Sequence, residues 1–274
     1  MQQISRKRLT LAHGAAIGAS LIMFTPIYLV LINSIKTSAE ASTLSAALPS
    51  DPQWGNFVEV VETGKLLTGF GNSLLYSCLS TVLGTLVAAM AAFVLSRNRT
   101  RFNRFLYFFL IMGIALPINF FTLTWVLQFL GLINTKIGMI FLYTTMQIPF
   151  SIFLIYGFVE TIPEELDEAA TLDGCRPFQV FFIVILPLLK PVVVTAFILN
   201  FLAVWSDFIY PLYYLNDTAN WPMTLAVYNF FGLYSSDWNL VSANILLNIA
   251  PVIVVYLLGQ RYIIAGMTSG AVKG

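Results

Sequence analysis

Six long apolar runs dominate this sequence, around residues 14–34, 72–95, 105–128, 137–159, 186–206 and 242–263. Each is close to the ~20 residues that a helix needs to cross the hydrocarbon core of a bilayer. A water-soluble fold could not cover them, because 58% of the residues are hydrophobic and only 10% charged, against roughly 25% charged in an average soluble domain. The runs predict an all-α integral membrane fold of about six transmembrane helices. They fill a single transmembrane domain, 1–274, and leave no stretch for a separate soluble domain.

The charges agree with these spans. The thirteen acidic residues fall between the runs or at their edges, as a cost of roughly 2.5–3.5 kcal/mol for a charge at the bilayer centre requires. Arg6, Lys7 and Arg8 precede the first run. Arg97, Arg99, Arg101 and Arg104 lie between the second and third, Arg176 and Lys190 between the fourth and the first turns of the fifth, and Arg261 and Lys273 close the tail at and beyond the end of the sixth. Of the fourteen Lys and Arg residues, only Lys36, Lys65 and Lys136 fall on the opposite side. The positive-inside rule therefore places both termini in the cytoplasm. The first run could instead be read as a cleaved signal peptide ending near Ala39-Glu40-Ala41, which would leave five spans. Its length of about twenty residues exceeds the ~7–15 of a signal core and favours a retained helix.

Several chemistries find no residues. Cys78 lies inside the second run and Cys175 in a loop, so no disulfide framework is implied, and with His13 as the single histidine there is no ligand set for zinc, haem or an iron–sulfur cluster. No G-x-x-x-x-G-K-[ST] sequence is present to hold nucleotide phosphates. No Asp, Glu, Lys or Arg stands centrally in a run, which counts against the alternative of a secondary transporter, since proton- and ion-coupled carriers use such residues. A membrane enzyme is disfavoured further, because no nucleophile–base pair occurs.

Within the runs, Gly84, Ala88 and Ala92 form a small-xxx-small ridge for close helix packing. Pro117, Pro149 and Pro251 should kink the third, fourth and sixth helices. Asn119, Thr122, Thr124, Thr144, Thr145, Gln147, Asn200 and Asn248 either line a hydrated path or bond a neighbouring helix. Aromatic residues crowd the segment from Asp207 to Asn239, among them Tyr210, Tyr213, Tyr214, Trp221, Tyr228, Phe230, Phe231, Tyr234 and Trp238. They suit an interfacial belt or contact with an external partner.

The loop at 160–185 is the most patterned segment. Thr161 and Glu164 have capping-box spacing, Pro163 suits a first helical turn, and Glu164, Glu165 and Asp167 complement a helix N-terminus. Leu166, Ala169 and Ala170 recur at helical spacing, Glu164 and Glu168 stand one turn apart, and Gly174 can end the helix in a left-handed conformation. Pro177 can start a second helix. These features predict a stiff helix–turn–helix knob, with alanines on one side and carboxylates on the other, that either docks into a groove or merely links two spans.

Read further, this segment carries Glu168-Ala169-Ala170, then Gly174, then Val184-Ile185-Leu186-Pro187. It resembles the signature of the membrane permeases of bacterial ATP-binding-cassette importers, E-A-A, three residues, G, nine residues, I-x-L-P, with Val184 for isoleucine as the one departure. Other blocks extend the resemblance over most of the chain: Asn72-Ser73-Leu74, Ala91 to Arg97, Gly131 to Thr135, Trp205 to Leu212, and the tail from Gln260. It is most similar to the branch that contains the smaller maltose permease subunit and imports sugars, oligosaccharides and polyols.

The resemblance implies a type I importer permease in the bacterial cytoplasmic (inner) membrane. Its partners would be the lipid bilayer, a second permease subunit, two ATP-binding-cassette ATPase subunits and an extracytoplasmic substrate-binding protein, with no nucleic acid. This chain would bind no cofactor, ATP and Mg being held by the ATPase, so it would not itself be an enzyme. Glu164, Glu165, Leu166, Glu168, Ala169, Ala170 and Gly174 would form the coupling helix against the ATPase. The tail, with Gly266, Thr268, Gly270 and Lys273, would reach the ATPase interface. No residue is assigned to the solute.

Overall fold

The computed structural model describes the backbone of residues 6–232 and 236–271 and the side chains of residues 12–232 and 236–262. Its helices run in chain order as α1 (Arg6–Asn33), α2 (Ser38–Ala41), α3 (Gly55–Thr63), α4 (Leu66–Arg97), α5 (Arg101–Ala115), α6 (Phe120–Phe129), α7 (Lys136–Val159), α8 (Glu165–Leu172), α9 (Pro177–Gln179), α10 (Leu186–Leu188), α11 (Lys190–Trp205), α12 (Ile209–Tyr214), α13 (Met223–Ala226) and α14 (Trp238–Ala271). A π-helical turn, Val180–Ile185, joins α9 to α10, so that Pro177–Leu188 forms one arm.

Four stretches are long and apolar enough to span a bilayer: Ala12–Asn33, Leu66–Arg97, Lys136–Val159 and Trp238–Tyr262. Two bent pairs bring the number to six if each counts as one span. These two differ from the single helices expected at 105–128, with a kink at Pro117, and at 186–206. The first is α5 plus α6, turned by 114°. Pro117 disfavours the α conformation at the residue before it, and Leu116 is extended (φ −79, ψ 127). Asn119 then restarts the chain by accepting a hydrogen bond from the Thr122 amide at 3.1 Å. The expected kink is therefore a reversal of direction. The second pair is the arm plus α11, bent by 78° at Leu189, where Pro191 occupies the first turn of α11. By contrast, Pro149 and Pro251 remain inside continuous helices.

The chain divides into two compact units, Met1–Leu67 with Ala226–Ala250, and Thr68–Leu225 with Pro251–Gly274. In the first, the buried Lys36 ammonium donates to the Ser45 carbonyl (2.7 Å), Ser45 Oγ (3.0 Å) and Asn33 Oδ1 (3.2 Å). Asn56 Nδ2 donates to the carbonyls of Ser34 and Lys36, and its Oδ1 accepts from Asn239. These bonds supply the partners that a buried polar cluster needs.

The second unit holds the helices on which the candidate site rests. Ala88 and Ala92 of the small-residue ridge are fully buried, and a Cβ on Gly84 would lie 3.2 Å from the Thr144 carbonyl of α7. The ridge thus serves close packing of α4 on α7. Several polar groups at depth bond neighbouring helices: Gln147 donates to Ser80 Oγ (3.3 Å), Asn200 to Ser151 Oγ (2.7 Å) and Thr195 to the Tyr262 carbonyl (2.8 Å). One apolar core gathers Ala89, Ala92, Ile155 and Val159 with Phe181, Ile185 and Leu189 from the arm. Val180, Phe181 and Ile185 of the predicted loop are therefore packed core, and the hydrophilic exposed feature is shorter than 160–185.

Candidate functional site

The exposed feature is α8, the eight residues Glu165–Leu172. The Thr161–Glu164 capping box expected from the sequence does not form. Thr161 Oγ1 donates instead to the Phe158 carbonyl at 2.7 Å, closing α7, and the N-cap Glu164 makes no side-chain cap bond. What favours the start of α8 is charge: Glu165, Asp167 and Glu168 all lie in its first turn, beside its unsatisfied N–H groups. The other end closes as the sequence predicts. Gly174 has φ +87, the Cys175 amide donates to the Ala170 carbonyl and the Gly174 amide to the Thr171 carbonyl, both at 3.0 Å. This is a Schellman ending. Pro177 then opens the arm at its first helical position.

The structure separates the two alanines that the sequence reading put on one face. Ala170 is only 8% exposed and joins Ile162, Val159 and Phe181 in the core, whereas Ala169 is exposed. Asp167, one turn before Ala170, also turns inward, and its Oδ2 accepts a hydrogen bond from Arg97 Nε at 2.6 Å. The outward face is Glu165, Glu168, Ala169 and Leu172, at i, i+3, i+4 and i+7, flanked by exposed Glu164 and Leu166. Leu172 is 88% exposed. Sequence reasoning missed Leu172 and the Arg97–Asp167 pair. The spacing from Glu165 pointed to the first, while nothing local joins residues 70 positions apart.

At the other end of the same unit the aromatic segment is tied down. Asn134, in a left-handed conformation (φ +59), accepts at Oδ1 from the amides of Asn216 and Asp217, each at 2.9 Å, and its carbonyl accepts from Asn220 Nδ2 at 3.1 Å. Asn72 Nδ2 donates to the carbonyls of Ala219 and Trp221, and Ser73 Oγ accepts from the Met223 amide. The blocks at 72–74 and 131–135 are therefore clasps for the 215–223 loop. Tyr214 is buried in the core beneath it, Trp221 bonds the Leu215 carbonyl, and Tyr234 lies outside the described residues.

Between α7 and α11 a groove of about 440 Å³ is lined by Tyr143, Phe150, Asn200, Asp207 and Tyr210 among others. Tyr143 donates to Asp207 Oδ2 at 2.7 Å, and the Tyr143 and Tyr210 rings meet edge to face, 6.3 Å apart. Burial, with a smaller contribution from the Asp207 carboxylate, pushes the Tyr210 hydroxyl above its ordinary pKa. The tail residues Gly266, Thr268 and Gly270 fall on the helical backbone of α14, and Lys273 lies outside the described residues.

Comparison with known proteins adds four findings. Residues 80–269 match the family model described as binding-protein-dependent transport system inner membrane component. The chain is 34% identical over 254 residues to the melibiose/raffinose/stachyose import permease protein MelC of Bacillus subtilis, covering 92% of each. It is 30% identical over 256 residues to the probable starch degradation products transport system permease protein AmyC of Thermoanaerobacterium thermosulfurigenes, covering 93% of each. Among solved structures, a chain of a bacterial ABC transporter involved in the import of the acidic polysaccharide alginate shares the fold, with a TM-score of 0.81 and 21% identity, over 96% of this chain and 99% of that one.

Proposed function

The chain belongs to the family of binding-protein-dependent transport system inner membrane components, and from that membership we propose that it is one permease half of an ATP-driven importer for a sugar, oligosaccharide or polyol. The names of its relatives support the carbohydrate class. In this reading a second permease completes the passage, two ATPase subunits bind ATP and Mg beneath it, and an extracytoplasmic binding protein delivers the solute. Both termini lie in the cytoplasm, in keeping with the basic residues that flank the spans.

The observation that carries the reading is the outward face of α8. A short helix held from within by Ala170 and Asp167 presents Glu165, Glu168, Ala169 and the knob of Leu172. Ala169 permits close approach of a partner surface, Leu172 offers an apolar plug, and the carboxylates offer acceptors to basic or N–H groups on the ATPase. Glu164 and Leu166 flank this contact, and Gly174 sets the angle at which the chain leaves it. The tail at Gly266, Thr268, Gly270 and Lys273 makes a second contact with the ATPase dimer.

The groove between α7 and α11 is this chain's wall of the passage. Its aromatic rings and its carboxylate and amide groups are the chemistry that hydroxyl-rich rings bind. The test is to tag the chain, extract it in mild detergent and identify by mass spectrometry what co-purifies. A second permease and an ATPase with a Walker motif are the expected companions, and reproducible recovery of an active lone chain would overturn the reading.

A further inference from the structure

Two arginines at and just beyond the cytoplasmic end of α4 reach α8 and its N-cap. Arg97, the last residue of that 32-residue helix, donates from Nε to Asp167 Oδ2 at 2.6 Å and from Nη2 to the Ile162 carbonyl at 3.1 Å. The two side chains are 12% and 18% exposed. The guanidinium also lies 6.0 Å from the Phe93 ring centroid, and Phe93 in turn meets Phe181 of the arm at 5.6 Å. Two residues further on, Arg99 Nη2 is 3.8 Å from Glu164 Oε1, but both are exposed and the pair is weak.

We infer that Arg97 is a positioning residue for coupling: it joins α8 and the cytoplasmic end of α4 into one body, so that a displacement of α8 passes directly into the second span. The inference rests on the reading of α8 as the ATPase-docking helix. The covalent route from α7 to α8 is the turn Glu160–Glu164, a short piece of backbone that belongs to neither helix. Arg97 bonds both that turn, at Ile162, and the helix beyond it, at Asp167, and so braces the joint. The apolar contact of Ala170 cannot do this alone, because burial is non-directional and tolerates sliding, whereas a charge-assisted hydrogen bond fixes distance and direction. The other carboxylate oxygen of Asp167, Oδ1, is buried and unbonded among the described residues, so loss of the guanidinium strands the carboxylate and frees α8 from α4.

The test uses the assembled transporter, with its ATPase subunits and binding protein, in proteoliposomes, and reads ATP hydrolysed per solute imported. Arg97→Glu and Asp167→Arg should each raise that ratio on the order of tenfold, a typical size for coupling between sites, while the complex still assembles. Combining the two restores opposite charges and should bring the ratio back toward the native value. An unchanged ratio in the single variants, or a combined variant no better than either, would overturn the inference. Should the charge reversals fail to assemble, Arg97→Cys with Asp167→Cys, in a background with Cys78→Ser and Cys175→Ser, gives a second reading. Linking the pair with a short bifunctional thiol reagent should restore coupling, and continued uncoupling or arrest would refute a joint that moves as one body. Glu168→Lys on the outward face separates the two levels of the argument. If it uncouples and Arg97→Glu does not, the brace falls and the docking reading stands; if Glu168→Lys has no effect, the docking reading falls.

Discussion

Gly174 offers the sharpest check on how α8 is built, because conformation and volume can be separated there. Its φ of +87 lies where L-residues are strained, and a Cβ built on it meets nothing within 4 Å in this chain. Replacement by alanine therefore costs only the left-handed backbone, about 1–2 kcal/mol, offset by about 0.4–1 kcal/mol from the stiffer unfolded chain. The net loss, about 1 kcal/mol, is roughly fivefold in the opening of the helix end. Asparagine, which visits this region more readily, should lose less than alanine, and β-branched valine more. Hydrogen–deuterium exchange of the peptide covering residues 165–176, on the detergent-solubilised chain, reads the opening through the Cys175 amide bond to Ala170. In the assembled transporter a second order appears if a cleft of the ATPase closes around Gly174. ATP-coupled import should then fall with side-chain volume, so that alanine outperforms asparagine and Gly174→Asp is uncoupled. Exchange that follows volume in the isolated chain, or is unaffected by valine, would refute the backbone argument; import unaffected by volume would remove Gly174 from the contact.

Three further outcomes follow from the same geometry. Leu172→Ala should leave thermal unfolding unchanged, since the side chain is 88% exposed, yet remove about 1.5–3 kcal/mol of apolar burial in the complex, a weakening of ATPase capture of about tenfold or more in a pull-down titration. The two alanines should behave oppositely. Ala170→Leu overpacks the core at a cost of about 1–3 kcal/mol, seen as a lower melting temperature, whereas Ala169→Leu should leave melting unchanged and abolish ATPase capture. Asn134→Ala removes the acceptor of two amides and leaves alanine at φ +59, together about 2–3 kcal/mol; Asn134→Asp keeps both acceptors and should melt close to the native protein at neutral pH.

Much of the fold was legible because lipid imposes it. Runs of about twenty apolar residues have few alternatives to helices in a bilayer, and the runs at 14–34, 72–95, 137–159 and 242–263 each coincide with a long helix. The two that differ are those where proline acts on backbone that neighbouring elements can re-satisfy. Pro117 ends α5 because Asn119 is placed to start α6, whereas Pro149 leaves α7 unbroken. A sequence shows the proline but not whether a substitute partner waits nearby. The same limit explains Asn134 and Asn72. Each looked like a fragment of a weak block, and each proved to be a clasp whose partners lie 82 and 147 residues further along the chain.

The signature segment shows why a motif cannot be read as one surface. An isolated helix of eight residues is unstable in water, since its few hydrogen bonds do not offset nucleation. For α8 to present a partner with a rigid face, some of its residues must be given to holding it. Asp167 and Ala170, three residues apart, perform that task on the inner stripe, and Gly174 fixes the exit. Glu165, Glu168, Ala169 and Leu172 are left free for contact. Two adjacent alanines with one chemical character thus carry two different constraints, one against crowding in the core and one against crowding at an interface, and about 100° of helical rotation separates them. A motif written as consecutive letters merges these constraints. The position of Arg97 opposite the inner stripe is what resolves them, because it marks which side of the helix the rest of the protein grips.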